Sequence, residues 1–191
     1  MEFCQNGDIQ GFLRNKRCTN RAITESQILK MLLQICLGVL SLHDRKILHR
    51  DLKSQNVFLS KSNDVRVGDF GLARLCHQSI DSPAEETKTG GESHDFFLEN
   101  TMQVGTPFYL APELLYAETK GPYSVKSDVW AIGVILYELC ALRKPFSGEN
   151  QTELYQRISN DKISHIKSIS NDLMSLINRM LQKDPNRRPT L

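Results

Sequence analysis

The chain of 191 residues predicts an α+β fold that is mostly α-helical. Three observations carry that expectation. Ile28, Met31, Leu32, Ile35, Val39 and Leu42 recur at helical spacing, so one face of that stretch is built to be buried. Asp128 to Leu142 is apolar nearly all round, as in a helix enclosed by its own domain. Between them, short apolar runs flank the polar stretch of Ile47 to Leu59, and Val65-Arg66-Val67 follows, which reads as tiny β-hairpins set among helices.

Taken in order, Asn6-Gly7 is a turn signal, and Asp8 is placed to cap a short helix through Phe12 and Leu13. A basic loop runs from Arg14 to Arg21. Thr24-Glu25-Ser26-Gln27 is a capping-box pattern opening the long amphipathic helix, which should end near His43. Ser60 to Asp64 is a polar turn before the strand at Val65 to Val67. After the apolar helix, Lys144-Pro145-Phe146-Ser147-Gly148 reads as a loop. Thr152 to Ile158 reads as a surface helix. Leu173, Met174, Ile177, Met180 and Leu181 mark a last helix stopped before Pro185.

Composition excludes several function classes. A net charge of +2 is too small to imply nucleic acid or an anionic membrane as partner. Val129 to Leu142 is too short to span a bilayer and contains Glu138. The five cysteines are scattered with no C-x-x-C pair, which argues for reduced thiols in the cytoplasm or nucleus. His43, His77, His94 and His165 have no partners at ligand spacing and are expected at the surface.

Chemistry concentrates in Ile47 to Leu59, ILHRDLKSQNVFL. Its polar loop presents an acid, Asp51, a lysine, Lys53, and an amide, Asn56. A carboxylate can take a proton from a hydroxyl, an ammonium can neutralise a phosphate, and an amide oxygen can hold a metal. Two strands joined by a turn should bring Asn56 close to Asp69. Two such oxygen ligands suit Mg²⁺, which keeps few protein carboxylates. Phe70 is expected to pack inward, and Gly71 to allow a sharp bend.

These residues resemble the C-terminal lobe of a eukaryotic protein kinase. His49-Arg50-Asp51 resembles the catalytic loop, Asp69-Phe70-Gly71 the metal-binding motif, and Ala111-Pro112-Glu113 the end of the activation segment. Ser127-Asp128-Val129-Trp130-Ala131-Ile132-Gly133 resembles the start of the central helix. Lys53 and Gly105-Thr106-Pro107 resemble the serine/threonine class. The wording of MEFCQNGD, HRDLKSQNVFLS, VGDFGLAR, VGTPFYLAPE and YELCALRKPF is most similar to the NIMA-related kinases. The implied fold is a protein-kinase-like large lobe with short β-hairpins. The small lobe is absent, for there is no G-x-G-x-x-G loop and no Val-Ala-Ile-Lys strand. Residues 1–191 would then be a partial kinase domain, with the last helix incomplete and a missing small lobe or upstream segment expected.

The resemblance implies roles. Asp51 would orient and deprotonate the substrate hydroxyl, Lys53 would stabilise the transferring phosphoryl group, and Thr106 would brace both. Asn56 and Asp69 would hold Mg²⁺. Met1 would stand at the gatekeeper position, with Glu2 to Cys4 as the hinge that meets the adenine of ATP. Phe58 would floor the adenine, and Asp8 would reach the ribose. Asp128 would hold the catalytic-loop backbone, unless it only caps its helix. His49 reads as a packed structural residue. Glu113 and Arg188 read as a structural ion pair. Arg50 before Asp51 implies an activation segment ordered by phosphorylation.

From Asp69 to Glu113 is 45 residues, longer than the family usually carries. The excess, residues 75–100, holds six acids against Lys88 and reads as a mobile acidic insertion. Thr101, five residues before Thr106, is favoured as the activating phosphosite. Gln55 stands where kinases that prefer arginine often carry an acid, which argues against a strong preference for arginine three residues before the target; Glu138 could meet a basic substrate side chain, but packing or a structural bond is the expected job of a glutamate on a mostly apolar helix. Two function classes follow. One is a protein serine/threonine kinase using ATP and Mg²⁺ on protein hydroxyls. The other is a catalytically silent, truncated kinase or pseudokinase-like module that binds partners or substrates.

Overall fold

The computed structural model describes residues 3–75, 107–115 and 123–191. Five α-helices and four short strands lie in the described residues. Helix α1 is Ile9–Cys18 and α2 is Glu25–His43. Strands β1 (Ile47–Leu48), β2 (Val57–Leu59), β3 (Val65–Val67) and β4 (Arg74–Leu75) follow. Helix α3 is Val125–Ala141, α4 is Gln151–Asn160 and α5 is Asn171–Met180.

The helix starts follow from capping chemistry. Asp8 accepts from the Gly11 amide at 2.7 Å. At α2 the box is reciprocal: Thr24 accepts from the Gln27 amide, and Gln27 accepts from the Thr24 amide. The central helix departs from the expected Asp128–Leu142. Ser124 and Ser127 form a second capping box, so α3 starts at Val125 and Asp128 sits inside its first turn. Leu142 adopts φ 54° and ends the helix, its amide still bonding to the Glu138 carbonyl.

The core is assembled on α3, which packs against α2 and α5. Trp130, Ile132, Ile135, Leu136, Tyr137 and Leu139 are all fully enclosed. Gly133 allows the approach of α5: a Cβ there would stand 2.9 Å from Met180 Cβ and 3.0 Å from Leu181 Cδ2. By length and composition alone, α2 is long and apolar enough to cross a membrane. Here its buried face, with Ile28, Ile35 and Val39, lies in the same core as α3, while Leu29, Leu33 and Leu37 form an exposed row.

The sheets correct the expectation of two hairpins. β2 and β3 do form one, with Val57 opposite Val67 and Leu59 opposite Val65. β1 pairs instead with β4, Ile47 opposite Leu75 and Leu48 opposite Arg74. This non-local pair clasps the two ends of the stretch that contains His49-Arg50-Asp51 and Asp69-Phe70-Gly71. Both motifs are thereby held at one edge. Leu75 belongs to β4, and the rest of the expected acidic insertion, 76–100, lies outside the described residues.

Candidate active site

The site is built around a buried carboxylate. Asp128 is wholly enclosed, and four groups donate to it. Oδ2 accepts from His43 Nε2 at 2.8 Å and from the His49 amide at 3.1 Å. Oδ1 accepts from the Tyr123 hydroxyl at 2.6 Å and from the Arg50 amide at 3.3 Å. Burial, then the adjacent Asp128 charge, pushes the Tyr123 phenol well above its usual pKa, so it stays a donor. His43 was expected at the surface. It is buried because its ring is one of the four donors. Asp128 therefore holds the backbone on which Asp51 sits.

His49 is enclosed on the other side of that backbone. Its Nε2 lies 3.1 Å from the Gly68 carbonyl, which only accepts, so Nε2 carries the proton. Nδ1 is then free to accept from the Asp51 amide at 3.4 Å. Arg50 adopts φ 68° between these anchors, and its guanidinium stands 5.8 Å from the Tyr123 ring. Burial foremost, then the Arg74 charge, lowers its pKa.

Asp51, Lys53 and Asn56 come together as the spacing implied. Lys53 Nζ is 2.7 Å from Asp51 Oδ2. Asn56 Nδ2 donates to the same oxygen at 2.9 Å and to the Asp51 carbonyl at 2.8 Å. Both side-chain bonds fall on Oδ2. Among the described residues, none donates to Oδ1. Among the described residues the carboxylate is therefore held through one oxygen.

Asn56 reaches Asp51 through its amide nitrogen, which leaves its amide oxygen for a cation. The Gly68 amide donates to the Asn56 carbonyl at 2.9 Å, which sets Asp69 immediately beyond. Asp69 is exposed, and the Gly71 amide at 3.4 Å is its one described donor. An amide oxygen and an exposed carboxylate are hard donors, and their small number fits Mg²⁺. No cluster of three or more His, Cys, Asp or Glu side chains suited to a metal occurs among the described residues. Gly71 sits in the expected bend, a turn closed by the Ala73 amide on the Phe70 carbonyl at 3.0 Å, while the left-handed φ of 58° falls on Asp69. One expectation fails here. Phe70 does not pack inward; it is 49% exposed and only tilts against the His49 ring at 5.4 Å, because nothing else described covers that face.

The expected adenine-side residues also meet. Asn6 and Gly7 exchange backbone bonds with Leu59, and Asp8 bridges to Phe58. Cys4 lies in the same turn, its carbonyl accepting from the Gly7 amide. The Phe58 ring rests on Gly68, where an added Cβ would come within 3.0 Å of it. Met1, Glu2, Thr101 and Thr106 lie outside the described residues.

Beside Asp51 a cleft of about 530 Å³ opens, lined on one side by Arg50, Lys53 and Gln55 and on the other by Pro107, Tyr109 and Lys144. The far wall is a network that sequence reasoning did not assemble. Tyr109 donates to Glu138 Oε2 at 2.7 Å, so it accepts from Ser54 at 2.7 Å. Lys144 Nζ donates to the Tyr109 oxygen at 2.8 Å and to Glu138 Oε1 at 3.0 Å. Glu138 is buried and paired, so it is not left open to a basic substrate residue. The one available signal was a buried acid in an apolar helix with a lysine six residues on.

Below the cleft, Arg188 places all five of its N–H donors. Two reach Glu113, at 2.8 and 2.7 Å. The others reach the carbonyls of Gln182, Lys126 and Lys183. Ser127 adds a bond to Glu113 at 2.9 Å, tying segment 107–115 to α3.

The sequence matches the profile of the protein kinase domain across residues 1–191. It is 38% identical over 192 residues to the serine/threonine-protein kinase Nek1 of Mus musculus, covering 100% of this chain and 14% of that protein. It is 39% identical over 193 residues to Nek5 of Homo sapiens, covering 100% and 24%. The G2-specific protein kinase nimA of Emericella nidulans is 32% identical over 217 residues, covering 99% and 28%. The chain thus spans less than a third of the length of each of these three relatives.

Proposed function

The chain belongs to the protein kinase domain family, with NIMA-related kinases among its relatives, and from that premise we propose that it transfers the terminal phosphoryl group of ATP to Ser or Thr hydroxyls of protein substrates. The observation that carries the reading is the Asp51 carboxylate, fixed through Oδ2 by Lys53 and Asn56, with no donor to Oδ1 among the described residues.

In this reading Oδ1 of Asp51 receives the proton of the substrate hydroxyl and aligns its oxygen for attack. Lys53 is close enough to share its charge between Asp51 and the phosphoryl oxygens, lowering the cost of bringing anions together. ATP with Mg²⁺ would supply the terminal phosphoryl group, with ADP as the leaving group as the bridging P–O bond breaks. Asn56 and Asp69 would hold the cation, Cys4 and Glu2 would meet the adenine edge with Phe58 beneath it, and Asp8 would face the ribose. Thr106, by the family resemblance, would brace Asp51 and Lys53. Asp128 and His49 act only on the backbone. A phosphate on Thr101 would be met by Arg50 and Arg74, whose adjacent charges favour an anion between them. The half of the nucleotide clamp that covers the phosphates is proposed to come from outside these 191 residues. Neither a G-x-G-x-x-G loop nor a Val-Ala-Ile-Lys strand occurs within them.

The test is phosphate transfer to a generic protein, measured with Asp51→Asn beside the parent in a form extended upstream. Transfer should fall by about 10²–10⁴-fold with the circular dichroism unchanged. Transfer that survives Asp51→Asn sinks the assignment of the base. Thr101→Ala should lower activity by about tenfold, the charge-assisted bonds to Arg50 being lost; unchanged activity would move the switch to another residue.

A further inference from the structure

Behind Tyr109 and Lys144, which line the cleft beside Asp51, sits a carboxylate that the fold has already neutralised. Glu138 comes from α3, is 2% exposed, and has both oxygens in use. Lys144, just past the end of α3, supplies the counter-charge. Its ammonium also lies over the Tyr109 ring at 4.1 Å and the Phe108 ring at 4.8 Å, which fixes it against the segment lining the cleft. The side chain is 22% exposed, so the lysine faces the cleft while the glutamate sits behind it.

The remaining charges of the cleft follow the same pattern. Asp51 is matched by Lys53. Gln10 and Gln55 are neutral amides, and Arg50 is cationic. Among the described lining residues, no carboxylate lacks a lysine partner. A lysine or arginine arriving on a bound peptide would meet a fixed ammonium at the Tyr109 wall. It would have to displace that ammonium to reach Glu138, exchanging a preorganised pair for one whose charges must first be dehydrated.

We propose that Lys144 is a specificity-determining residue that, by occupying Glu138, makes the cleft reject a basic side chain at the Tyr109 wall and accept an uncharged one. This rests on reading the cleft as the seat of the peptide whose hydroxyl is phosphorylated. It goes further in naming the side-chain class that is turned away and the residue responsible.

Removing Lys144 should convert the wall into an acidic subsite. An arginine could then pair with Glu138 through two parallel bonds, and Tyr109 would still hold the carboxylate in place. The test is fluorescence polarisation of serine-centred peptides, each carrying arginine or its neutral isostere citrulline at one scanned flanking position. The parent should bind every arginine peptide no tighter than its citrulline twin. Lys144→Met should bind one arginine peptide about 10-fold tighter than its twin, as a charge-assisted bond allows. The double variant Glu138→Gln with Lys144→Met should lose that gain. Lys144→Gln, which keeps a donor for Tyr109, serves if the methionine variant melts early.

Binding is read without phosphate transfer, so the two readings separate. Absent transfer with the expected peptide pattern removes the kinase activity and leaves the role of Lys144. A parent that favours arginine overturns the proposal, as does a folded Lys144 variant with no gain. Absence of binding by all peptides overturns it too, whatever the transfer assay shows.

Discussion

Asp128 and Asp69 are the same residue type in opposite situations. Asp128 is sealed from solvent and accepts four hydrogen bonds from three separate segments. Asp69 is exposed, sits in a left-handed backbone conformation, and has one long described bond to its own turn. A carboxylate whose lone pairs are consumed by the fold is part of its framework. One in left-handed backbone geometry with a single described donor is not spent on the described framework, which is compatible with the metal-holding role proposed for it. The contrast separates structure from chemistry more clearly than the motifs do, since both residues sit in recognisable triplets or runs.

The comparison can be strained by substitution, with stability as the common scale. Asp128→Ala should cost most, about 3–5 kcal/mol, because it leaves four buried donors without an acceptor. Urea unfolding measures it, and a loss under 1 kcal/mol would mean that the four bonds are replaceable. Between the extremes stands Lys183, half-buried against the Trp130 and Phe146 rings. Burial foremost lowers its pKa to about 8. The unfolded chain, with an ordinary lysine near 10.4, then holds more protons than the folded one between about pH 8 and 10. Lys183 accordingly adds stability as pH rises through that window and is a burden below it. The effect should be on the order of 1 kcal/mol, partial exposure having trimmed it. It should appear as a difference between parent and Lys183→Met across that pH range, and parallel curves would refute it. Asp69→Asn should cost least, within about 0.5 kcal/mol, as for other surface changes. Its phosphate transfer should nonetheless fall about 10²-fold, in keeping with lost charge stabilisation of the reacting groups. A variant that melts early would place Asp69 in the framework.

Much of this was legible in the chain. Local rules were enough for the capping box at Thr24, the periodic face of α2 and the end of α5, because each depends on neighbours within one or two turns. The grouping of Asp51, Lys53 and Asn56 was also local, a tight loop between two strands. The misses are non-local. β1 chose β4 as its partner over the expected hairpin. His43 left the surface because a carboxylate 85 residues away needed a donor. Lys144, read as loop, closes a network with Tyr109 and Glu138 that spans three segments. Phe70 is half-exposed, its described ring contact being with His49. The Ser124 box was overlooked because α3 announces itself by its apolar content, which starts later than its hydrogen bonds.

The four bonds to Asp128 also have a kinetic side. The loop that carries Asp51 and the residue that shapes it are 79 positions apart at His49. Bringing such distant segments together costs chain entropy that nearby contacts do not. The loop that carries Asp51 is expected to take this form only once α3 has docked, so the proposed activity should emerge at the end of folding and vanish with the first loss of tertiary packing. In a refolding experiment, substrate turnover should return with the slowest change in tryptophan fluorescence, Trp130 being the single reporter and lying in α3 itself.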